Sequence, residues 1–364
     1  MKAVFVHRPI SPGGDAYGTH RVVVPPGAMP QPAWRLDNDF SRLFAGEVLL
    51  TVDVVNVDAA SFAQIEGQAR TACGEVEGGA IDDEIAHIFL RTVSDRGKQH
   101  NPVTGSGGML VGSVLQIAPG TETDAISPGD RIATLASLTL TPLRVDRVRA
   151  VRRASAQIDV EGEAVVFASA PYARLPGDLP ERLALAALDV AGAAPQVARK
   201  VGPGSTVVVL GAAGKSGILC VAQARRSGGA SARIVAIDAS ARAADELRAL
   251  GLCDAVIVAD ARDPLAVRRM VLDATGGAGA DVTFSCVNVP DAEMAAILAT
   301  RERGVVYFFA MSTSFTKAAL GAEGVGRDVD LFVGSGFARG HADHTLAMLR
   351  DMPELRTLFE RRYA

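Results

Sequence analysis

The sequence predicts an α/β protein with two folding units: a β-rich barrel in the first half and a doubly wound parallel sheet in the second. Two observations lead to this prediction. Short runs with β-strand character, separated by turn residues, fill residues 1–145, whereas helical segments alternate with continuous apolar runs from about residue 183 onwards. Apolar strands separated by helices are typical of a parallel sheet with both faces covered.

In the first half, runs rich in valine, leucine and isoleucine predict strands over 47–55, 110–117 and 131–135. The third of these follows the turn sequence Ser127-Pro128-Gly129-Asp130. Residues 76–97 are more polar and compatible with a helix, but the Gly78-Gly79 pair indicates a loop or an insertion.

In the second half, helices are predicted over 182–199, 216–227 and 341–359, with others between most of the strands. Strands are predicted over 206–210, 233–237, 255–258, 281–285, 305–309 and 331–333. The last helical segment is expected to pack back on the first domain. This organisation predicts one domain made of residues 1–190 and 337–364, and a second made of residues 191–336.

The composition argues against several classes of protein. With 364 residues, 48% of them hydrophobic, the chain can form two cores. A net charge of -4 and scattered lysines and arginines do not provide the basic face that a nucleic acid requires. Apolar runs stay below the roughly 18 residues of a membrane span, and the apolar N-terminal stretch is too short for a signal peptide. We therefore expect a cytoplasmic protein that binds neither nucleic acid nor membrane.

A glycine-rich motif lies between the strand predicted over 206–210 and the helix that follows. Gly211, Gly214 and Gly217 have the spacing G-x-x-G-x-x-G. Glycines there permit a tight turn and let the backbone approach a pyrophosphate, while the N-terminus of the helix offers free N–H groups to the anion. Asp238 ends the next strand, where a carboxylate can accept hydrogen bonds from ribose hydroxyls. The pattern predicts a dinucleotide site.

Asp238 also bears on the choice of dinucleotide. Because a carboxylate repels a 2′-phosphate, the sequence favours NAD over NADP, although Arg242, one turn further on, could weaken that preference. Asn288 is expected to contact the nicotinamide ribose and Ser312 to lie near the nicotinamide, because ligands of such folds bind at the carboxyl ends of the strands. The predicted cofactor residues are Gly211, Ala213, Gly214, Lys215, Ser216, Gly217, Asp238, Asn288 and Ser312.

Three further segments connect this layout to a known superfamily: Pro102-Val103-Thr104-Gly105, Gly112-Ser113-Val114 and Gly129-Asp130-Arg131-Ile132. With the β-rich first half and the dinucleotide motif, they resemble the medium-chain dehydrogenases and reductases over the whole chain. The resemblance implies a GroES-like catalytic domain, a Rossmann domain and a homodimer or homotetramer.

The sequence departs from the zinc-dependent members of that superfamily. Where they have cysteine and histidine ligands, this sequence offers Asp58, Ser106 and Asp189, which would make a poor ligand set for catalytic zinc. The four cysteines lie dozens of residues apart, without the spacing of a disulfide scaffold or a zinc knuckle. We therefore expect no metal.

Six segments are similar to the narrower family of L-erythro-3,5-diaminohexanoate dehydrogenases. They are Gly18-Thr19-His20-Arg21, Pro30-Gln31-Pro32-Ala33-Trp34, residues 97–109, residues 187–193, Cys286-Val287-Asn288-Val289-Pro290 and residues 314–321. The resemblance implies oxidation of the C3 amine with NAD and water, which gives 5-amino-3-oxohexanoate, ammonium and NADH. Residues 67–88 show the least similarity.

Such a substrate carries two ammonium groups and one carboxylate, so its pocket needs acidic groups and at least one cation. Asp58 and Asp189 are the candidates for the amine side, and Lys98, His100 and Lys317 for the carboxylate or for proton relay. Each has a structural alternative: a turn aspartate, a helix residue bonded to backbone, or a solvated surface charge.

Three more residues have two interpretations each. His20 and Arg21 could face the cleft, but a β-rich domain offers many other places for them. Trp34, the single tryptophan, is interpreted as a packing residue rather than as a cation–π platform for an amine.

Two rival functions remain open at this point. A zinc-free quinone or enoyl reductase of the same fold would use NADPH, which Asp238 disfavours. A non-catalytic dinucleotide-sensing module would keep Gly211–Gly217 but would need no acidic cleft.

Overall fold

The computed structural model describes residues 7–74, 78–101, 105–121, 126–310 and 312–363. The chain divides into two compact units, Met1–Leu185 with Tyr363–Ala364 (unit 1) and Ala186–Arg362 (unit 2). Pro102, Val103 and Thr104 of the Pro-x-x-Gly motif lie outside the described residues. Within the described ranges, no helix has both the length and the apolar character that crossing a bilayer demands.

Unit 1 is built on a six-stranded antiparallel sheet of order β10-β7-β6-β5-β9-β8. Two small sheets pair β1 with β4 and β2 with β3. The strands are β1 (Ile10–Ser11), β2 (Val22–Val24), β3 (Arg35–Leu36), β4 (Leu43–Phe44), β5 (Glu47–Asn56), β6 (Met109–Ile117), β7 (Arg131–Thr134), β8 (Leu143–Arg152), β9 (Gln157–Phe167) and β10 (Tyr172–Arg174). The strands predicted as 47–55, 110–117 and 131–135 are confirmed as β5, β6 and β7.

Two helices, α1 (Ala59–Cys73) and α2 (Gly79–Arg96), pack on each other in unit 1. The prediction of a loop or insertion over 76–97 was wrong from Gly79 onwards, because the glycine pair stands at the start of a helix and not inside one. Gly78 is the N-cap residue, and Gly97 ends the helix in the left-handed conformation with φ 65°. The apolar face of α2 contributes Ile81, Ile85, Ile88, Phe89 and Val93 to the core, a helical spacing.

Unit 2 contains a six-stranded parallel sheet of order β13-β12-β11-β14-β15-β16. The strands are β11 (Thr206–Leu210), β12 (Arg233–Asp238), β13 (Ala255–Val258), β14 (Ala280–Ser285), β15 (Thr300–Phe308) and β16 (Asp330–Val333). All six predicted strands are confirmed. The strand order reverses between β11 and β14, and doubly wound folds bind ligands at such a switch point.

Nine helices follow Pro180 in the described chain: α3 (Glu181–Leu188), α4 (Ala193–Ala198), α5 (Lys215–Gly228), α6 (Ala241–Ala249), α7 (Pro264–Ala274), α8 (Glu293–Ala299), α9 (Phe315–Gly324), α10 (His341–Asp351) and α11 (Pro353–Tyr363). The predicted single helix over 182–199 is interrupted between Leu188 and Ala193. Pro195 explains the interruption, since proline is tolerated in the first turn of α4 but would break a continuous helix.

The two C-terminal helices belong to unit 2 and not, as predicted, to the first domain. We expected residues 337–364 to pack with the first domain, but α10 and α11 as far as Arg362 belong to unit 2. The Thr345 hydroxyl on α10 donates to the carbonyl oxygen of Ala191 at 2.9 Å, and Arg362 on α11 contacts Glu246 on α6. The boundary between the units also falls earlier, after Leu185.

Candidate active site

The turn between β11 and α5 has the geometry of a dinucleotide cradle. Gly211 has φ 68°, and a Cβ there would lie 2.9 Å from the carbonyl carbon of Cys286. A Cβ on Gly217 would lie 2.2 Å from the carbonyl oxygen of Gly211, so the first turn of α5 packs directly on the loop. The first N–H groups of a helix have no intrahelical acceptor. Those of α5 therefore fit the pyrophosphate of a dinucleotide.

Asp238 lies beside this turn at the end of β12. Its Oδ2 accepts a hydrogen bond from the Ala213 N–H at 3.0 Å, and its Oδ1 accepts one from the Ser240 N–H at 3.0 Å. The carboxylate is thus held where an adenosine ribose would lie in such a fold. The Arg242 side chain, one turn further on, is 92% exposed.

Arg362 is a residue of this region that sequence reasoning missed. Its Nη1 donates to the carbonyl oxygen of Ala213 at 2.6 Å, and its Nε donates to the Glu246 carboxylate at 2.7 Å. Arg362 therefore links α11 to the glycine turn and to α6. It follows the turn by about 150 residues, and no local pattern could have indicated the contact.

The other two predicted cofactor residues come together at the carboxyl end of the sheet. Asn288 is exposed in the segment after β14. The Ser312 hydroxyl donates to the carbonyl oxygens of Val287 at 3.1 Å and Val289 at 3.4 Å. Ser312 thus fixes the segment that carries Asn288.

Of the predicted catalytic residues in unit 2, Asp189 lies at the glycine turn and Lys317 does not. The Lys215 ammonium donates to Asp189 Oδ2 at 2.7 Å, and both side chains are largely buried. Lys317 is 61% exposed and pairs with the exposed Asp291, whose hydrogen bond raises the pKa of the lysine. Lys317 therefore has the surroundings of a solvated surface charge.

In unit 1, Asp58 and Lys98 both have structural contacts. Asp58 is the N-cap residue of α1 and accepts a hydrogen bond from the Ser61 N–H at 3.0 Å. Lys98 is fully buried, and its ammonium donates to the carbonyl oxygens of Pro30, Gln31 and Thr139 at 2.7, 3.0 and 2.9 Å. Burial, with help from Arg96, lowers the pKa of Lys98 to about 8. All three donors of this ammonium are engaged by backbone.

His100 lines a cavity of about 210 Å³ between α1 and α2. Burial, followed by the charges of Lys98 and Arg96, lowers the pKa of His100 to about 4, so its imidazole is neutral at physiological pH. Its Nδ1 is buried without a partner in the described part of the chain. The other lining residues are Trp34, Ser61, Gln64, Ile65, Gln68, Ile88, Arg91, Thr92, Asp95, Arg96, Gln99 and Asn101.

Sequence reasoning does not find the arginines of this cavity, because the Gly78-Gly79 pair predicts a loop or an insertion over 76–97. On a helix, Arg91, Asp95 and Arg96 share one side of α2, and that periodicity was the available signal. Trp34 is 55% exposed, and the Arg96 guanidinium lies 3.4 Å from the centre of its ring. A cation of the protein itself therefore occupies this aromatic face.

His20 and Arg21 belong to a buried ionic cluster of unit 1. Arg21 is fully buried and forms two hydrogen bonds to the Glu47 carboxylate, at 2.8 and 2.9 Å. His20 Nε2 lies 2.8 Å from Glu47 Oε1. These contacts give the pair a structural role in the barrel.

Zinc chemistry requires a set of ligands that these residues do not provide. In the ranges that the structure describes, no three His, Cys, Asp or Glu side chains gather as a group that could hold a metal ion. Asp58 caps a helix, and Asp189 is paired with Lys215. The absence of metal stays a prediction, and no step is assigned to one.

These features together define a medium-chain dehydrogenase. They are a β-rich unit, a parallel sheet of this order, a glycine turn and an acidic residue at the end of the second strand. Two solved structures are similar in fold. A mycobacterial protein complexed with NADPH is 19% identical, with a TM-score of 0.55 over 88% of this chain and 90% of that one. An alcohol dehydrogenase superfamily protein from Novosphingobium aromaticivorans is 20% identical, with a TM-score of 0.51 over 84% of this chain and 78% of that one. This class of enzyme uses a nicotinamide dinucleotide and a small-molecule substrate.

Sequence comparisons narrow the class. Residues 216–325 match the zinc-binding dehydrogenase family, and residues 20–176 match the N-terminal domain of L-erythro-3,5-diaminohexanoate dehydrogenase. The enzymes of that name from Acetoanaerobium sticklandii and Fusobacterium nucleatum are 46% and 44% identical, over 96% of this chain and 99% of theirs. The chain belongs to the L-erythro-3,5-diaminohexanoate dehydrogenase family, and the family resemblance expected from its segments is confirmed.

Proposed function

We propose that the protein oxidises the C3 amine of L-erythro-3,5-diaminohexanoate with NAD and water, and that it releases 5-amino-3-oxohexanoate and ammonium. The observation that carries this proposal is the identity of 44–46% to two enzymes named for this substrate, which extends over 96% of the chain. The glycine turn, whose close contacts leave no room for a Cβ on Gly217, supports the dinucleotide part of the proposal.

NAD, when bound, supplies the acceptor for the hydride that leaves C3. We propose that the turn from Gly211 to Gly217, with Ala213, Lys215 and Ser216, holds the pyrophosphate. Asp238 would hold the adenosine ribose, and Asn288 and Ser312 would lie on the nicotinamide side. The positions of these residues at the turn and at the carboxyl ends of the strands support the proposed roles.

The reaction requires a base, since hydride can leave C3 only after the ammonium has lost a proton and the nitrogen lone pair is free. Asp189 and Asp58 stay the proposed acidic groups on the amine side. Asp189 is largely buried beside Lys215, and Asp58 holds the start of α1. We propose that Asp189 contributes more to turnover, because it lies next to the cofactor turn.

The direct test is NADH formation by the purified protein with 3,5-diaminohexanoate. We expect absorbance from NADH together with stoichiometric ammonium. If only quinone-dependent oxidation of NADPH appeared, the protein would be a reductase of the same fold. Binding of NAD without turnover of any amine would make it a dinucleotide sensor, and either result would end the proposal.

Substitution of Asp189 by asparagine tests the assignment on the amine side. We expect kcat/KM for the diamino acid to fall by about 10- to 100-fold, the usual cost of losing a charge-assisted hydrogen bond. Asp58→Asn is the companion variant. Its melting temperature should stay near that of the wild type, because asparagine caps a helix about as well as aspartate. Unchanged turnover in both variants would remove the assignment.

We propose NAD over NADP as the cofactor, and Asp238→Ser tests the choice. Serine keeps a small polar side chain at this position but removes the charge that repels a 2′-phosphate, and the exposed Arg242 could then approach that phosphate. We expect the ratio of kcat/KM for NADP to that for NAD to rise by about 10- to 100-fold, on the order of one charge-assisted contact. A ratio that does not move would show that another residue decides the preference.

We also propose a homodimer or homotetramer. β16 is the edge strand of the parallel sheet, and its Phe332 and Val333 side chains are 37% and 61% exposed. An apolar edge strand is a surface that a second copy can pair with. A monomer mass by light scattering would contradict this proposal.

A further inference from the structure

The cavity between α1 and α2, here called the α1–α2 cavity, is walled by residues of unit 1. Its floor is polar and buried: Ser61, Gln99 and Asn101 are 1%, 1% and 4% exposed. Its mouth carries the exposed side chains of Gln68, Arg91 and Asp95. A polar floor beneath charged groups is typical of a site for a small charged molecule rather than of a packing defect.

The cations of this cavity are not neutralised by the described protein. Arg70 on α1 pairs with Glu66, and Asp82 on α2 pairs with Arg153. Arg91 and Arg96, in contrast, form no ion pair with any residue in the described ranges. Arg96 is held over the Trp34 ring and donates through Nη1 to the Trp34 carbonyl oxygen at 3.4 Å. Among the side chains that line the cavity, the two guanidinium groups outnumber the one carboxylate, Asp95. The Asp58 carboxylate stands beside the floor and accepts a hydrogen bond from the Ser61 hydroxyl.

Gln99 provides the cavity with a buried hydrogen-bonding group beside these charged side chains. Its Oε1 is buried without a hydrogen-bond partner among the described residues. Because this end of the buried carboxamide has no partner in the described protein, it can form a hydrogen bond with a ligand in the cavity. By rotation about its terminal bond, the carboxamide can present its NH₂ group to an anion.

The pKa of His100 indicates the sign of the electrostatic potential in the α1–α2 cavity. After burial, the positive charges of Lys98 and Arg96 are the causes that lower the pKa of His100. A positive potential disfavours a protonated imidazole and favours an anion.

We propose that the α1–α2 cavity binds the carboxylate of the amino acid substrate, with Arg91 and Arg96 as the charged partners and Gln99 as the buried hydrogen-bond partner. The inference rests on the proposed function and names the part of the substrate that this unit recognises. The carboxylate keeps its charge throughout the reaction, so these residues determine specificity and take no part in proton transfer. Asp95, one turn from Arg91, is placed to accept a hydrogen bond from an ammonium group of the same molecule.

Arg91→Gln is the test variant because Arg91 is exposed, and substitutions of exposed side chains change stability little. Arg35→Gln is the matched control, since Arg35 is an exposed arginine of the same unit that does not line the cavity. Calorimetric titration with 3,5-diaminohexanoate, in the presence of NADH to prevent turnover, gives the Kd of each protein. Loss of one arginine contact should raise the Kd and the KM of Arg91→Gln by about 10-fold, with kcat and the KM for NAD unchanged. Arg35→Gln should match the wild type.

A substrate that lacks the carboxylate separates charge recognition from a general loss of affinity. With 2,4-diaminopentane, which keeps both amines, wild type and Arg91→Gln should bind equally weakly. Gln99→Leu provides a second variant and should also raise the Kd for the diamino acid. If Arg91→Gln and Gln99→Leu both kept the wild-type Kd, or if the wild type bound no diamino acid, the inference would be overturned. If the wild type bound the diamino acid without forming NADH and Arg91→Gln weakened that binding, the proposed function would fail and the cavity assignment would stand.

Discussion

Replacing Gly217 by valine is expected to weaken NAD binding by more than about 100-fold, the scale that a 1 Å misplacement can produce in a site of this kind. A Cβ at this position would lie 2.2 Å from the Gly211 carbonyl oxygen and 2.7 Å from the Ala212 Cα. These are backbone atoms, so no side chain can rotate away to make room. The first turn of α5 would have to move by roughly 1 Å or more to restore ordinary contact distances. Its N–H groups would then no longer point at the pyrophosphate.

Gly324→Val is the matched control for this experiment. Gly324 is also a helical glycine of unit 2, at the end of α9, and a Cβ there would have nothing within 4 Å. Fluorescence titration with NADH gives the cofactor Kd, and circular dichroism checks that each variant is folded. A folded Gly217→Val protein with a Kd within a few-fold of the wild type would show that this turn does not carry the cofactor.

The parallel sheet and its glycine turn could be predicted because both are encoded locally. Each strand of unit 2 is a continuous apolar run, and burial on both faces leaves little choice of residue type. The distance from Gly217 to Asp238 follows from one helix and one strand, so the pattern identifies both ends. Ala213 and Asp238, predicted separately as cofactor residues, are in fact joined by a hydrogen bond of 3.0 Å.

The cavity and the supporting cations could not be predicted, because a charged residue type does not reveal its partner. Lys98 was a candidate for the substrate carboxylate, yet its ammonium is surrounded by three backbone carbonyls from two distant segments. Arg362 reaches the turn from the far end of the chain. Arg91 is not predicted as a site residue, because the Gly78-Gly79 pair indicates a loop where α2 in fact begins. For Lys98 and Arg362, the deciding contact lies far away in sequence.

The partners in the buried cluster around Glu47 also could not be predicted from residue type. Substitution in this cluster has the largest expected effect on stability. Glu47 and Arg21 have fully buried side chains and share two hydrogen bonds. His20 bridges Glu47 and Asp15, at 2.8 and 3.1 Å. The Phe44 N–H also donates to Glu47 at 2.9 Å. The carboxylate is therefore saturated by donors. The other anions that these donors reach, Asp37 for Arg21 and Asp15 for His20, are about one-third exposed.

Glu47→Gln is expected to lower the free energy of unfolding by about 3 kcal/mol, because it removes the buried counter-charge of Arg21 and leaves only the partly exposed Asp37, at 3.3 Å, as its anionic partner. The carboxamide keeps the shape of the side chain but turns an NH₂ group towards a donor. Glu161→Gln is the control: Glu161 pairs with Arg147 on the surface, where both side chains are about half exposed, and such pairs contribute about 0–1 kcal/mol. Chemical denaturation measures both.

The cluster of His20, Arg21 and Glu47 makes the free energy of unfolding depend on pH in a predictable direction. Burial opposes the charged form of His20, but the hydrogen bonds to Glu47 and Asp15 outweigh it and raise the pKa of His20 above 6.5. Its contribution is therefore complete below pH 6.5 and is lost as the pH rises through the raised folded-state pKa. For Glu47, hydrogen bonds from Arg21 and His20 outweigh burial and lower its pKa below 4.5. That contribution is present above pH 4.5 and is lost as the pH falls through the lowered pKa.

In Glu47→Gln the larger of the two contacts that raise the pKa of His20 is gone. The free energy of unfolding measured from pH 6 to pH 9 should therefore fall less steeply in this variant than in the wild type. Asp15 remains, so a weaker slope should persist. Parallel slopes in the two proteins would mean that Glu47 does not stabilise the protonated form of His20. The stability of this cluster would then have to be explained by packing alone.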